Sequence, residues 1–265
     1  MRKAFLVFLV LIIAACSTNP ITGKSPLILV NNAELFPMAF QQYNQVLKEE
    51  KLSTNREQTQ TLRRVGSNIK TTVERFLAAQ GQSEFLNGYE WEFNLIENPQ
   101  VNAWCMPGGK VAFYTGIMPV CQNEDGIAVV MGHEITHAIA EHSAQRMTQS
   151  MIAQGLQGVG NIALNDSRYQ NVFNQLYPVG ATLGILAYSR NAELEADKIG
   201  LQLMAMSGYD PREAPKFWER MMAASQGQAP PEFLSTHPNP GNRIAKLNAE
   251  IPNVLPLYYD AIGRE

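Results

Sequence analysis

His133-Glu134-Ile135-Thr136-His137 is the stretch of this chain whose residue types and spacing could do chemistry. On a helix, two histidines four residues apart lie one turn apart on the same face. At that separation two imidazoles can hold one Zn2+, and a glutamate directly after the first histidine can reach a water at the metal. The chain has only 4 histidines, so two of them falling at this spacing around a glutamate is not a chance expectation. The pattern points to a zinc hydrolase, most often a protease.

Two histidines do not complete such a site. A catalytic zinc usually takes three protein ligands and leaves one position for water. His142 lies nine residues after His133. On a continuous helix that is half a turn out of phase, so His142 is expected to point away and serve structure. The strongest carboxylate candidate is Glu193, in the segment Tyr188–Gly200. Glu193 and Asp197 are four apart and share a face. One can bind metal while the other orients a histidine from behind. Glu195 is rotated about 200° from Glu193 and is not expected to share that role. Without the histidine pair, these acids would read as an exposed acidic helix face.

The elements that must position these residues are mostly readable. Asn31 to Lys51 and Thr54 to Gln80 carry helical periodicity, and Leu62, Val65, Ile69, Val73 and Phe76/Leu77 form one apolar stripe. Tyr89 to Ile96 alternates, with Trp91, Phe93 and Leu95 on one face and Glu90, Glu92 and Asn94 on the other, which is a strand. Val101 to Cys105 and Lys110 to Tyr114, around the Pro107-Gly108-Gly109 turn, supply two more strands. The motif helix is expected to start at the N-cap Asn123, with Glu124 and Asp125 in its first turn, and to run from Gly126 to Gln149. Residues 150 to 187 read as lid-like or packing helical material, and Gln226 to Pro231 as a loop. Further helices are expected over Ala187 to Met206, from Asp210-Pro211 to Ala224, and from Asn239 to Leu247.

At 265 residues, with 45% hydrophobic and 17% charged residues and net charge −3, the chain can bury an adequate core without staples. No Lys/Arg run points to nucleic acid. Residues 1–15 read as a signal peptide: Arg2 and Lys3, then an apolar run from Ala4 to Ala15, too short for a comfortable span. Ile13-Ala14-Ala15-Cys16 resembles a lipobox, in which Cys16 would carry acyl chains and hold the protein on a membrane. The expected setting is a Gram-negative-type cell envelope, on the periplasmic face, with Ser17 favouring the outer membrane. Residues 16–30 read as a tether. Cys105 and Cys121 could pair as a disulfide or stay as buried thiols, and their spacing does not decide.

The spaced residues as a set are similar to a known family. His133-Glu134-x-x-His137, then Glu193-x-x-x-Asp197, then His237-Pro238 and Arg243 resemble the M48 metallopeptidases, of the Oma1-like and small periplasmic lipoprotein type. Asn102-Ala103 before Pro107-Gly108-Gly109, and Gly132 just before His133, extend the match to about residues 30 to 250. The resemblance implies an α+β, mainly α-helical zincin (gluzincin) with a small three-stranded sheet beside the motif helix, filling residues 31–265. It implies that His133, His137 and Glu193 bind one zinc, that Glu134 is the general base and that Asp197 supports a histidine. It also implies that His237 and Arg243 stand at the active site and stabilise an oxyanion. The strand at Asn102-Ala103-Trp104 could accept an extended substrate peptide at its edge, or merely pack the motif helix. His237, on a loop with Pro238 and Pro240, could instead block the open zinc position in a resting state.

Three functions follow. The first is a zinc endopeptidase acting on misfolded or damaged exported proteins. The second is a low-activity chaperone-like or binding protein on the same fold. The third is a zinc hydrolase of another amide, such as cell-wall material. An intact Glu134 argues against the second, because a binding scaffold has no physical need of a base there. Substrate identity and oligomeric state are not encoded in any motif.

Overall fold

The computed structural model describes residues 18–154, 166–177, 188–224, 232–237 and 241–264. The signal run, Cys16, the loop at 226–231, Pro238, Pro240 and much of 150–187 lie outside the described residues.

Helix α1 (Asn32–Glu49) opens on a capping box in which Asn31 and Glu34 each accept the other's backbone N–H. Helix α2 (Arg56–Ala79) is capped by Asn55 and turns Leu62, Val65, Ile69, Val73 and Leu77 fully inward. The expected strands follow as β1 (Glu92–Ile96), β2 (Ala103–Met106) and β3 (Lys110–Tyr114). Their order is β1-β3-β2, with β3 parallel to β1 and antiparallel to β2. β2 is therefore an edge strand.

Both faces of this sheet are covered. Phe93, Leu95, Val111 and Phe113 join the core around the α2 stripe, while Met106, Ala112 and Tyr114 pack with Phe36 and Tyr43 of α1. Asn94, on the expected polar face, is accordingly buried. Its amide donates to the Tyr43 hydroxyl at 3.1 Å and its oxygen accepts from Arg63 at 3.1 Å, so no polar group is stranded.

Helix α3 (Glu124–Ile139) carries the motif and begins as expected, with Asn123 accepting from the Gly126 N–H at 2.8 Å. It ends ten residues short of the expected Gln149. Glu141 adopts the left-handed conformation, with φ at +57°, and a separate helix α4 (His142–Ala153) begins behind it. Neither Gly nor Pro marks this break, so the uninterrupted helical pattern concealed it. Helices α5 (Asp166–Leu176), α6 (Arg190–Met206), α7 (Glu213–Ala223), α8 (Glu232–Thr236) and α9 (Arg243–Ala261) complete the described order. α9 runs well past Leu247 despite Pro252 and Pro256.

α3 and α6 cross at two glycines. A Cβ on Gly132 would sit 2.7 Å from the Gly200 carbonyl oxygen, and one on Gly200 would sit 2.8 Å from the His133 nitrogen. Bare backbone at this crossing brings Glu193 and Asp197 within reach of the motif histidines.

The described part of the expected tether is docked rather than free. Asn19 is buried, and its amide donates to the Ile139 carbonyl at 2.8 Å and to Glu141 at 3.2 Å. Its side-chain oxygen accepts from the N–H groups of Ile21 and Thr22. Leu29 donates to Thr148, and Val30 is fully buried. The strap thus covers the C-terminal end of α3, whose last carbonyls need donors. Among the described residues, no helix is long and apolar enough to cross a membrane.

Candidate active site

His133, His137, Glu193 and His237 converge, all buried, with one ligand atom from each within 4.8 Å of the others. His133 Nε2 lies 3.1 Å from His137 Nε2, 3.2 Å from His237 Nδ1 and 3.4 Å from Glu193 Oε2. His137 Nε2 is 3.4 Å from Glu193 Oε1, and His237 Nδ1 is 3.1 Å from the same oxygen. A divalent ion bound at about 2.0–2.1 Å spaces tetrahedral ligands roughly 3.3 Å apart. The donor set therefore fits a metal ion, with His237 at the fourth corner. Three buried imidazole nitrogens facing one carboxylate have little other reason to converge.

Each ligand is held from behind. His133 Nδ1 is 3.0 Å from Asp197 Oδ1, so the acid sharing a face with Glu193 orients a motif histidine as expected from spacing. Tyr188 stacks on His137 at 3.9 Å between ring centroids, and Phe233 stacks on His237 at 4.5 Å. Nothing in the local sequence singles out either aromatic residue. Arg243 is fully buried; its guanidinium donates to Glu193 at 2.5 Å and Asp197 at 2.6 Å and lies 3.8 Å over the Trp218 ring. Arg243 thus stands against both carboxylates beside the donor cluster. His142 departs from expectation. The break at Glu141 swings His142 back onto His137, and Glu195 meets His142 from α6.

Glu134 is buried beside the cluster, with His237 Nε2 3.3 Å from its Oε1. That contact is not a hydrogen bond, and Oε1 has no hydrogen-bond partner among the described residues. Asn102, Trp104, Cys105 and Met106 of the β2 edge line the cavity with Glu134 and His237. Cys105 and Cys121 are both free, buried thiols. Burial pushes the Cys121 thiol up to about 12 and Cys105 well above its ordinary value.

The electrostatics separate the two glutamates. Burial pushes Glu134 up, with His237 and His133 offsetting part of the rise. Burial also opposes charge on Glu193, but His237, His133 and His137 outweigh it and hold Glu193 well below the usual carboxylate range. The two carboxylates are thus driven apart, Glu193 toward its charged form and Glu134 toward its protonated one. Burial opposes charge on His133 too, yet Asp197 and Glu193 raise it to about 9. Burial keeps His137 well below its ordinary value. A metal must displace any proton from the nitrogen it takes.

A buried His-His-Glu donor set backed by an acid, with a glutamate at its side, is an arrangement that metal-dependent hydrolases use. Residues 64–251 match the model of peptidase family M48, and the chain belongs to that family. Among its relatives, the mitochondrial metalloendopeptidase OMA1 of Schizosaccharomyces pombe is 36% identical over 187 residues, covering 69% of this chain and 52% of that protein. The metalloendopeptidase OMA1 of Bos taurus is 28% identical over 266 residues, covering 95% and 49%. The beta-barrel assembly-enhancing protease of Escherichia coli is 32% identical over 173 residues, covering 63% and 36%. The chain spans about half or less of the length of these relatives.

These relatives overturn the expected outer-membrane placement in a Gram-negative-type cell envelope. Relatives from S. pombe, Arabidopsis thaliana, Saccharomyces cerevisiae and Bos taurus are named as mitochondrial, alongside the bacterial one. The physical reason for the error is plain: a basic start and a short apolar run direct a chain to a membrane without specifying which.

Proposed function

We propose that this chain is a zinc-dependent endopeptidase that cleaves unfolded or damaged proteins. The observation that carries the reading is the buried cluster of three imidazoles and a carboxylate with Glu134 beside it. His133, His137 and Glu193 hold the ion. When bound, zinc polarises a scissile carbonyl and acidifies water. Glu134, beside the donor cluster, would accept a proton from water and hand it to the leaving amine. Asp197 holds the ring of His133, and Arg243 locks the two carboxylates in place. The β2 edge at Asn102 and Ala103 accepts substrate as an added strand, which suits cleavage of unrelated sequences.

With Nδ1 3.2 Å from His133 Nε2 and 3.1 Å from Glu193 Oε1, His237 would compete with water for an ion held there. We read this as a resting arrangement. Once turned out, the His237 imidazole donates to the oxyanion of the tetrahedral intermediate. The apolar run ending at Ala15 and the small residues before Cys16 support an acyl anchor at Cys16, which would bring the site to a membrane surface.

The test compares wild type with Glu134→Gln on an unfolded protein, with and without chelator. Wild type is expected to cleave and to stop on chelation, and Glu134→Gln to fall at least about a hundredfold. Equal cleavage by both proteins would leave the chaperone-like reading or contamination as the explanation.

A further inference from the structure

Behind His137, away from the donor cluster, lies a second imidazole that the mechanism does not use. His137 Nε2 faces the other ligands, while its Nδ1 is 2.9 Å from His142 Nδ1. His142 Nε2 is 3.1 Å from Glu195 Oε2. The other Glu195 oxygen is 2.6 Å from Lys24 Nζ on the docked strap. His142 is buried and Glu195 is largely covered. The left-handed turn at Glu141, clamped by Asn19, makes this contact possible across only five residues.

Proton placement gives the row a direction. Two ring nitrogens 2.9 Å apart share one proton between them. If His137 gives its Nε2 lone pair to a metal, its Nδ1 must carry the proton and donate to His142. His142 must then present a bare Nδ1 and carry its own proton on Nε2, where Glu195 accepts it. His133 receives the same support from a carboxylate directly, through Asp197. We propose that His142 is a positioning residue for His137, fixing its tautomer and ring orientation, with Glu195 as the carboxylate at the far end. This rests on the reading of His137 as a ligand. Lys24 is 64% exposed, so its pair with Glu195 adds little.

The test uses the full chain carrying His142→Phe, His142→Asn or Glu195→Ala, with His137→Ala as control. Three readouts are taken: zinc affinity by chelator competition, the visible absorption of bound Co2+, and thermal unfolding of the metal-free protein. His142→Phe is expected to weaken zinc about 10- to 100-fold and to shift the Co2+ bands. Asn, whose Oδ1 can accept near the position of the His142 Nδ1, is expected to recover much of that loss. Glu195→Ala, which leaves the His142 N–H without its acceptor, is expected to weaken zinc several-fold. The metal-free midpoints should stay close to wild type. If His142→Phe does not fold, Glu195→Ala and His142→Asn carry the test. Zinc affinity and Co2+ spectra unchanged in Glu195→Ala and in the folded His142 variants overturn the proposal. If wild type takes up no zinc, or His137→Ala binds it as wild type does, the ligand assignment fails instead.

Discussion

Glu134 and Glu193 are both buried glutamates, and the site depends on their being unlike. Glu193 faces three imidazoles and is held charged, whereas Glu134 faces the cavity and is pushed toward its protonated form. Arg243 stabilises the first of these environments through Glu193 and Asp197. Removing one partner of a buried charge cluster leaves the others uncompensated. Arg243→Ala is therefore expected to cost about 3–5 kcal/mol of folding stability. Chemical denaturation checks this, and a loss below about 1 kcal/mol would mean that the two acids do not need the guanidinium. At this scale much was legible. The histidine spacing and the i, i+4 relation of Glu193 and Asp197 pointed to residues that the fold brings together. The place of Arg243 was not legible, because the tertiary fold decides which side of a carboxylate an arginine approaches.

Secondary structure was readable where local signals exist. The α2 stripe, the Asn123 cap and the three strands follow from periodicity and capping. The α3–α4 break did not, because a non-glycine residue takes the left-handed turn at Glu141. The same break moved His142 from an expected outward position to the back of His137. The α3–α6 crossing needs glycine on both sides. Gly132→Ala would bring a methyl against the Gly200 carbonyl, which is backbone and cannot rotate away. The expected result is a loss of about 1–3 kcal/mol, together with weaker metal retention as Glu193 shifts from the histidines. Denaturation and metal titration of Gly132→Ala report on both, and a variant matching wild type in each would show that the crossing has slack.

Over the whole molecule, the sheet buried on both faces, the strap over the end of α3 and the helices behind the ligands enclose the donor set. Alternation along β1 gave a polar face, on which Glu90 stays exposed and Glu92 partly so while Asn94 is buried against Tyr43 of α1. That burial comes from packing between distant segments, which no local pattern encodes. The reading of residues 1–15 as a signal run carried no address, and the mitochondrial relatives overturned the one assumed. The proposed function stands or falls on this enclosed set being a zinc site that has Glu193 as a ligand and does not need Glu134 to hold the ion. The most direct measurement is zinc per chain in wild type, Glu134→Gln and Glu193→Ala purified side by side. One zinc is expected in wild type and in Glu134→Gln, and substantially less in Glu193→Ala. A full complement of zinc in Glu193→Ala, or none in wild type, would contradict the proposed function.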